Sequence, residues 1–256
     1  MTMNGKIIAV CNHKGGVGKT TTTINVGMGL ANRGKRVLLI DLDAQANLTD
    51  SLRITNTAID IYKILKGAAD AIPVTITPTL HIIPATLNLA GAENEFANEI
   101  GREKMLAEAI APLREQYDYI FIDTAPSLGL LAVNAFTAAD ELLIPIQAEY
   151  LALKGIAKLT EVFGSVRKRI NPSLKIGGVI ITQFDGRTIL HRQIQTAIGK
   201  QFGSLLFETP VRNTITIAEA QVQGADIFAY APDSAGAKDY SDICTEFLKR
   251  HNDIIA

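Results

Sequence analysis

The stretch 11–21, C-N-H-K-G-G-V-G-K-T-T, contains residue types and a spacing that can bind phosphate. It follows the apolar run 7–10 and opens a segment, 21–32, whose pattern predicts a helix. A glycine-rich bend between a strand and a helix directs backbone N–H groups at an anion, and the helix dipole adds partial positive charge. Lys19 would reach the terminal phosphates of a nucleotide, and the Thr20 hydroxyl would ligate Mg²⁺.

This stretch departs from the strict P-loop pattern at one position. The pattern has glycine at both ends of a four-residue gap before Lys and Ser/Thr, and His13 occupies the place of the first glycine. A second lysine, Lys14, precedes Gly15 and Gly16 instead. A chance glycine-rich turn is the alternative interpretation, but the order of strand, loop and helix favours nucleotide binding.

Acidic residues follow two further apolar runs. Asp41 comes directly after the predicted strand 36–40, Asp43 lies two residues beyond, and Asp123 ends the predicted strand 117–123. Ligands of open α/β sheets bind at the carboxyl ends of the strands. Asp123 is in the Walker B arrangement, so we expect it to accept from Thr20 or from water bound to Mg²⁺. An acid at such a place can also form a turn or a helix N-cap, which is our interpretation of Asp50.

Four motifs carry a family resemblance. The segment 14–21, K-G-G-V-G-K-T-T, resembles the deviant Walker A motif of the ParA/MinD group of P-loop ATPases. Similarity to the ParA/Soj chromosome- and plasmid-partition ATPases continues through D-L-D-A-Q at 41–45, I-D-T-A-P-S-L-G at 122–129 and A-E-A at 218–220. The resemblance covers nearly the whole chain, and the motifs occur in the same order as in the family. Ala44 stands where the family usually has proline.

The resemblance implies an ATP hydrolase with ATP and Mg²⁺ as its ligands. It implies that Thr20, Asp41 and Asp123 hold the metal, that Asp43 polarises the attacking water, and that residues 124–129 sense the γ-phosphate. It further implies that Lys14 reaches the phosphates of a partner subunit, so that ATP binding produces a homodimer; an exposed loop lysine is the alternative. The implied nucleotide contacts are Lys14, Gly15, Gly16, Val17, Gly18, Lys19, Thr20 and Thr21 at the phosphates, with Gln183, Pro210 and Arg212 near the adenine.

Charge is distributed unevenly along the chain. Residues 151–212 carry a net charge of +7 within a chain whose net charge is −1. A basic block is a possible polyanion-binding face, although solvated helix surfaces explain any single residue equally well. The resemblance implies non-specific DNA binding by the ATP-bound dimer and a ParB-like protein that stimulates hydrolysis. The expected DNA contacts are Arg187, Arg192, Lys200 and Arg212. Near the A-E-A motif the contact depends on Arg212, because Thr216 occupies a position that is often basic in the family.

Two other ATPase functions and one reductase function are alternatives to DNA partitioning. A MinD-like membrane-positioning ATPase needs a terminal amphipathic helix with flanking cations, and residues 246–255 match that poorly because acids interrupt them. A ParA-like ATPase that positions a cargo other than DNA stays open. Cys11 and Cys244 are not placed to bridge an iron–sulfur cluster between subunits, so a reductase component is excluded.

Composition and pattern predict the fold class. With 256 residues, 47% of them hydrophobic, the chain can bury a large core, and we expect residues 1–256 to form a single domain. The sequence contains no apolar run of membrane-spanning length and only two cysteines, so we expect a cytoplasmic, nucleoid-associated protein for which membrane association is unlikely. We predict an α/β fold, a P-loop NTPase with a mostly parallel twisted sheet and helices on both faces. The predicted strands are 7–11, 36–40, 80–84, 117–123, 141–146 and 176–182, and the predicted helices are 21–32, 58–65, most of 87–113, 132–139, 151–170, 187–201 and 234–251.

Overall fold

One seven-stranded sheet organises the protein. The computed structural model describes residues 5–149 and 152–253, with the side chains of 152–155 omitted. The strands are β1 Lys6–Val10, β2 Val37–Leu42, β3 Val74–Thr77, β4 Leu80–Ile83, β5 Tyr119–Thr124, β6 Glu141–Gln147 and β7 Lys175–Thr182. Their order across the sheet is β3-β4-β2-β5-β1-β6-β7. β3 is antiparallel to β4, and the other neighbouring strands are parallel.

The strand register brings the carboxyl ends of β1, β2 and β5 to one edge. Asp123 on β5 pairs with Val10 on β1 and with Asp41 on β2. The residues of β2 and β5 are all buried, as expected for parallel strands that helices cover on both faces. The predicted fold class is therefore confirmed.

Helices cover both faces of the sheet. Successive residues of a strand point to opposite faces; accordingly Ile7 and Ala9 belong to one buried cluster, and Ile8 and Val10 belong to the other. The helices are α1 Lys19–Ala31, α2 Asn47–Ser51, α3 Ile61–Leu65, α4 Ala92–Glu95, α5 Met105–Ile110, α6 Leu130–Ala138, α7 Ala152–Arg169, α8 Ile189–Phe202, α9 Ile215–Val222, α10 Ile227–Tyr230 and α11 Ala235–Arg250.

Helix α1, which follows the glycine-rich loop, is packed tightly between the sheet and α11. A Cβ atom added to Gly29 would lie 2.6 Å from Cys244 Sγ on α11, so the close approach of the two helices requires glycine. Asn25 Oδ1 accepts a hydrogen bond of 2.8 Å from the backbone N–H of Ile227 at the start of α10. The position of α1 is thereby fixed on several sides.

All six predicted strands are confirmed, with ends that differ by at most two residues. The sequence interpretation missed β3, although the residues V-T-I-T lie between Pro73 and Pro78 and have the β-branched character of a strand. Helix 151–170 begins at Ala152 in the structure, and Leu151 lies outside the described residues. The interpretation of Asp50 was wrong, because it lies within α2 and Ala46 is the N-cap.

The prediction of a largely helical segment 87–113 is confirmed, but the segment is not one continuous helix. This segment contains two short helices, α4 and α5, with 3₁₀ turns at Leu87–Gly91, Phe96–Asn98 and Ala111–Leu113. Glu99 adopts an extended conformation, and Gly101 has φ +75°, so the helix cannot continue between them. Asn134 of α6 then holds this break by donating to the Arg102 carbonyl and accepting from the Leu106 N–H.

The second basic helix also differs from its prediction. It begins at Ile189, so Arg187 lies in the loop before it. Ile194 and Ile198 face the core, but Ile189 and Leu190 in the first turn of α8 are 65% and 46% exposed. The first turn of α8 therefore lies outside the packed part of the helix.

Candidate nucleotide site

The loop between β1 and α1 has the geometry of an anion-binding site. Gly18 adopts the left-handed conformation with φ +84°, and α1 begins directly after it at Lys19. None of the described side chains caps this N-terminus. Its first N–H groups are therefore available to an anion, which the helix dipole also attracts.

Two adjoining cavities lie at this helix N-terminus. The first, of about 490 Å³, is lined by Gly15, Gly16, Gly18, Lys19, Thr20, Thr21, Asp43, Gln45, Asn47, Ser51, Pro126, Gln183 and Gln221. The second, of about 260 Å³, shares Gly18, Thr21, Gln183 and Gln221 with the first and extends to Val211, Arg212 and Asn213. Together they suit an elongated ligand whose anionic end lies on the loop and whose other end lies between Gln183 and Arg212.

Most of the predicted nucleotide residues therefore lie together. Val17 is an exception, since it is buried and its carbonyl accepts a 2.8 Å hydrogen bond from Thr182 Oγ1, which anchors the loop to β7. Pro210 is the neighbour of the lining residue Val211. It follows an isolated bridge at Leu206 rather than a strand. The sequence interpretation did not find Gln221, which donates to Thr21 Oγ1 over 3.1 Å and lies one residue beyond the A-E-A motif.

Lys19 is a buried cation with unused donor capacity. Its Nζ donates to the Lys14 carbonyl over 3.3 Å. Burial lowers the pKa of Lys19, while the charges of Asp123 and Asp43 act in the opposite direction. Among the described residues this poorly solvated ammonium forms no ion pair, and a phosphate group would supply its anionic partner.

Two buried carboxyl groups face the same region. Asp123 Oδ2 accepts a 2.6 Å hydrogen bond from Thr20 Oγ1. Burial, assisted by the charge of Asp41, raises the pKa of Asp123 to about 8, although the Thr20 bond and Lys19 lower it. Burial likewise raises the pKa of Asp41 to about 6 against three hydrogen bonds that favour its charged form. A cation placed between these groups would relieve this cost.

The oxygen donors fit a magnesium ion that is completed by a nucleotide. Mg²⁺ is usually held by one or two carboxylates together with phosphate oxygens and water. Thr20, Asp41 and Asp123 supply a hydroxyl and two carboxylates on neighbouring strands. No cluster of three or more His, Cys, Asp or Glu side chains suited to a metal occurs in the described part of the chain, so the phosphates would have to complete the coordination.

Asp43 borders the phosphate cavity and is held by backbone contacts. Its Oδ1 accepts from the Gln45 N–H over 2.9 Å, and its own N–H donates to Asp41 Oδ1 over 3.2 Å. The side chain is 7% exposed. A carboxylate that faces the phosphate cavity in a fixed orientation can accept a proton from an attacking water.

Lys14 is bound by residues of its own chain. Its Nζ forms an ion pair with Glu149 and donates to Gln147 Oε1 over 3.1 Å. The two side chains of the ion pair are 42% and 45% exposed. Gln147 Nε2 in turn donates to Gln183 Oε1 over 2.9 Å, and Gln183 Nε2 donates to the Gly16 carbonyl over 2.6 Å. Lys14 is thus a paired lysine beside the phosphate cavity, and its role in a partner subunit stays a prediction.

The segment 124–129 connects the site to α6. His13, the residue in place of the first P-loop glycine, has its Nδ1 3.2 Å from the Pro126 carbonyl. Pro126 also borders the phosphate cavity. At the other end of the segment, Glu93 Oε1 accepts from the N–H of Leu131 in the first turn of α6 over 3.3 Å. The segment therefore lies between the phosphate cavity and the first turn of α6, and its role as a γ-phosphate sensor stays a prediction.

The expected DNA contacts are not equivalent in the structure. Arg187 is 92% exposed at its side chain and forms a bidentate contact with Asp185 at 2.9 Å for both bonds. Arg192 and Lys200 are exposed on α8. Arg212 binds Asp239 through two guanidinium nitrogens and also lines the second cavity, so its charge is largely compensated. The side chain of Lys154 in the basic block lies outside the described residues.

Comparison with known proteins agrees with this geometry. The family model described as an AAA domain matches residues 5–176. The sporulation initiation inhibitor protein Soj of Bacillus subtilis is 44% identical over 247 residues, which are 94% of this chain and 98% of Soj. The chain belongs to the ParA/Soj family of P-loop ATPases.

Two solved structures extend the family comparison to bound nucleotides. A cobyrinic acid a,c-diamide synthase from Mycobacterium smegmatis, with a bound ATP analogue and magnesium, has 32% identity and a TM-score of 0.84, and covers 97% of this chain and 96% of its own. A plasmid partition protein from Borrelia burgdorferi bound to AMPPNP has 28% identity and a TM-score of 0.83, covering 96% and 99%. Among the helices of 5–149 and 152–253, none has the length and apolar content that a bilayer-spanning helix needs.

Proposed function

We propose that this chain is an ATP-driven partition ATPase whose ATP-bound homodimer binds DNA non-specifically and whose hydrolysis, stimulated by a ParB-like protein, releases it. The observation that carries the proposal is that Lys19, Thr20 and Asp43 line one cavity at the N-terminus of α1. The buried Asp123 and Asp41 adjoin them, because Asp123 accepts from Thr20 Oγ1 and Asp41 accepts from the Asp43 N–H. Such a set provides the cation, the metal ligands and the proton acceptor that phosphoryl transfer to water requires.

Each side chain has a separate task in this reaction. The N–H groups of the loop and the ammonium of Lys19 bind the phosphate oxygens, where negative charge is spread in the transition state. Thr20, Asp41 and Asp123 would hold Mg²⁺, which neutralises charge on the β- and γ-phosphates. Asp43 orients the attacking water and accepts its proton. Because the site relies on positioning rather than on covalent chemistry, the fixed orientations of Asp41 and Asp43 are central to the rate.

The proposed homodimer depends on Lys14. The side chain lies beside the cavity and is held by a half-exposed ion pair with Glu149, which water screens well. Exchanging Glu149 for the phosphates of a nucleotide bound to a second copy would place the lysine against a stronger anion. Dimerisation then depends on nucleotide state, because the triphosphate and the diphosphate offer Lys14 different charges.

The proposed DNA surface is the exposed basic part of α8 and the loop before it. Arg187, Arg192 and Lys200 are exposed there, and a basic surface gives sequence-independent affinity for DNA that falls with salt. Arg212 is the weaker candidate because it is only half-exposed and binds the buried Asp239, whereas the pair of Arg187 with Asp185 is open to solvent. The exposed Ile189 and Leu190 between these cations would contact the sugar or groove edges rather than phosphate.

The test is an ATPase assay with and without non-specific DNA, combined with DNA retention in ATP and in ADP across a salt series. We expect the protein to be retained on DNA in ATP and released in ADP. The logarithm of its DNA affinity should fall linearly with the logarithm of the salt concentration. Anionic liposomes replace DNA in a parallel arm. Retention on liposomes and not on DNA would favour the MinD-like alternative, and retention on neither would favour a cargo other than DNA. The MinD-like alternative concerns the terminal segment 246–255. Residues 254–256 lie outside the described residues.

A further inference from the structure

Thr49 on α2 makes an unusually complete set of hydrogen bonds with the proposed metal ligand Asp41. Its hydroxyl donates to Asp41 Oδ2 over 2.7 Å, and its backbone N–H donates to the same oxygen over 2.9 Å. The hydroxyl oxygen also accepts from the backbone N–H of Ala85 over 2.9 Å. Thr49 and Asp41 are 2% and 0% exposed, so water does not compete for these bonds.

The Ala85 contact fixes the direction of the Thr49 hydroxyl proton. A hydroxyl group has one proton to donate and two lone pairs that accept. Because the Ala85 N–H must use one lone pair, the proton is free to point at Asp41 Oδ2. Two donors therefore hold Oδ2, whereas Oδ1 receives the single 3.2 Å bond from Asp43 N–H within the described chain. Oδ1 is the oxygen of Asp41 with acceptor capacity left for water.

The same contacts close the loop that carries Asp43. The two carboxylate oxygens of Asp41 bind backbone N–H groups near the two ends of the loop 41–49. Oδ1 accepts from the Asp43 N–H, and Oδ2 accepts from the Thr49 N–H. Ala46 within this loop has φ +52°, a left-handed conformation that a residue with a Cβ adopts at some cost. The hydrogen bonds from Thr49 oppose relaxation of that turn.

From this geometry we infer that Thr49 is a positioning residue for the magnesium site, acting by fixing the carboxylate of Asp41 and, through the closed loop, Asp43. The inference rests on the proposed role of Asp41, which is to hold Mg²⁺ by accepting a hydrogen bond from a water molecule bound to the metal. Side chains that orient a metal ligand commonly change metal affinity by roughly 10–100-fold when they are removed. Thr49→Val keeps the shape and removes the hydroxyl, and Thr49→Ser keeps the hydroxyl and removes a methyl group.

The experiment measures binding of a fluorescent ATP analogue while Mg²⁺ is titrated, so it does not depend on turnover. We expect Thr49→Val to need roughly tenfold more Mg²⁺ for half-maximal enhancement of binding than the wild type, and Thr49→Ser to restore the wild-type midpoint. Binding in EDTA should be equal in all three proteins, because the loop and Lys19 bind the phosphates without the metal. Thr49→Cys, whose thiol is a weaker donor, should lie between serine and valine and replaces Thr49→Val if that variant does not fold.

The matched control is Thr137→Val, which removes the hydroxyl of a partly buried threonine that donates to the Val133 carbonyl within α6. A residue that only stabilises the fold would lower the melting temperature and leave the Mg²⁺ midpoint unchanged, as Thr137→Val should. A wild-type midpoint in both Thr49→Val and Thr49→Cys would overturn the inference. Failure of the wild type to bind the analogue more tightly with Mg²⁺ would instead contradict the proposed function.

Discussion

Replacing Lys14 with alanine separates a structural role of this residue from a role in a dimer. Within one chain, Lys14 contributes a half-exposed ion pair with Glu149 and a 3.1 Å hydrogen bond to Gln147. Exposed pairs of this kind contribute about 0.2–1 kcal/mol to folding. For a chain of this size, 1 kcal/mol corresponds to about 2–4 °C in melting temperature. Lys14→Ala should therefore lower the melting temperature by no more than about 4 °C.

The expected effect on the dimer is much larger. Truncating one partner of a desolvated charge pair at an interface costs about 2–5 kcal/mol. A symmetric dimer contains two such pairs, so the variant should lose at least about 4 kcal/mol, roughly a thousandfold in dimer affinity. Light scattering at saturating ATP should report a monomer for Lys14→Ala and a dimer for the wild type, with ADP giving a monomer in both.

Lys66→Ala is the matched control. Lys66 directly follows α3 and forms a similarly exposed ion pair, with 2.7 Å between its Nζ and Glu95 Oε1; it does not line the phosphate cavity. This variant should lose a similar small amount of stability and still dimerise with ATP. If Lys14→Ala also dimerises like the wild type, the lysine is a surface residue paired with Glu149 and the proposed exchange is refuted.

Four other perturbations address the remaining parts of the site and the fold. Lys19→Ala should weaken ATP binding by roughly thirtyfold or more in a fluorescence titration, because a buried charge-assisted contact is lost. Asp43→Ala should keep ATP binding and dimerisation but slow phosphate release by roughly 100-fold or more, since the proton acceptor is removed. Arg187→Glu should weaken DNA retention and reduce the salt slope by about one or more per subunit without affecting ATP binding. Glu141→Gln should destabilise the protein by on the order of 2–3 kcal/mol at pH 7 but by little near pH 2, as thermal unfolding would show.

The pH dependence of the last variant follows from the surroundings of Glu141. Burial alone would raise the pKa of Glu141, but hydrogen bonding and charge from His251, together with Lys6, lower it to about 2 from its ordinary value of 4.5. A carboxyl group with a depressed pKa contributes its full stabilisation above the ordinary value and loses it as pH falls toward the depressed one. The difference between wild type and Glu141→Gln should therefore shrink between about pH 5 and pH 2. A difference that is constant over this range would contradict the ion-pair explanation.

Controls for the other variants use residues outside the site. Lys104→Glu makes the same charge change as Arg187→Glu on an exposed residue at the start of α5. Equal DNA retention in these two variants would mean that total charge, rather than the α8 surface, determines binding. Wild-type ATP affinity in Lys19→Ala would remove the assignment of the phosphate loop. Wild-type turnover in Asp43→Ala would show that another group activates the water.

The parts of the site that sequence could predict are those encoded locally. The glycine loop between β1 and α1, and the acids at the ends of β2 and β5, follow from short motifs and from the rule that parallel strands end at one edge. The structure agrees with that reasoning, since Asp123 at the end of β5 pairs with Asp41 on β2 and accepts a hydrogen bond from Thr20 of the loop's helix. Cys11, at the end of the predicted strand 7–11, is buried in the structure, and burial raises the pKa of its thiol well above the ordinary value.

The parts that sequence reasoning missed depend on contacts between distant residues. Nothing near Lys14 in sequence indicates that Glu149 binds it, because the two meet only when β1 and β6 are neighbours. The break in 87–113 depends on Asn134, which binds backbone groups about 30 residues away in sequence. The exposure of Ile189 similarly depends on where α8 lies against the sheet, which an apolar pattern in a helix does not specify.

The glycine contact between α1 and α11 has a consequence for how nucleotide state is communicated. With Gly29 against Cys244 and Asn25 bonded to the start of α10, there is little free volume into which α1 could shift. We therefore expect α1 to keep its position relative to α10 and α11 when the nucleotide state changes. Any rearrangement between triphosphate and diphosphate should therefore fall in the loop 124–129, which borders the phosphate cavity at Pro126 and leads into α6. A fluorophore on this loop should report hydrolysis, whereas one on α11 should stay silent.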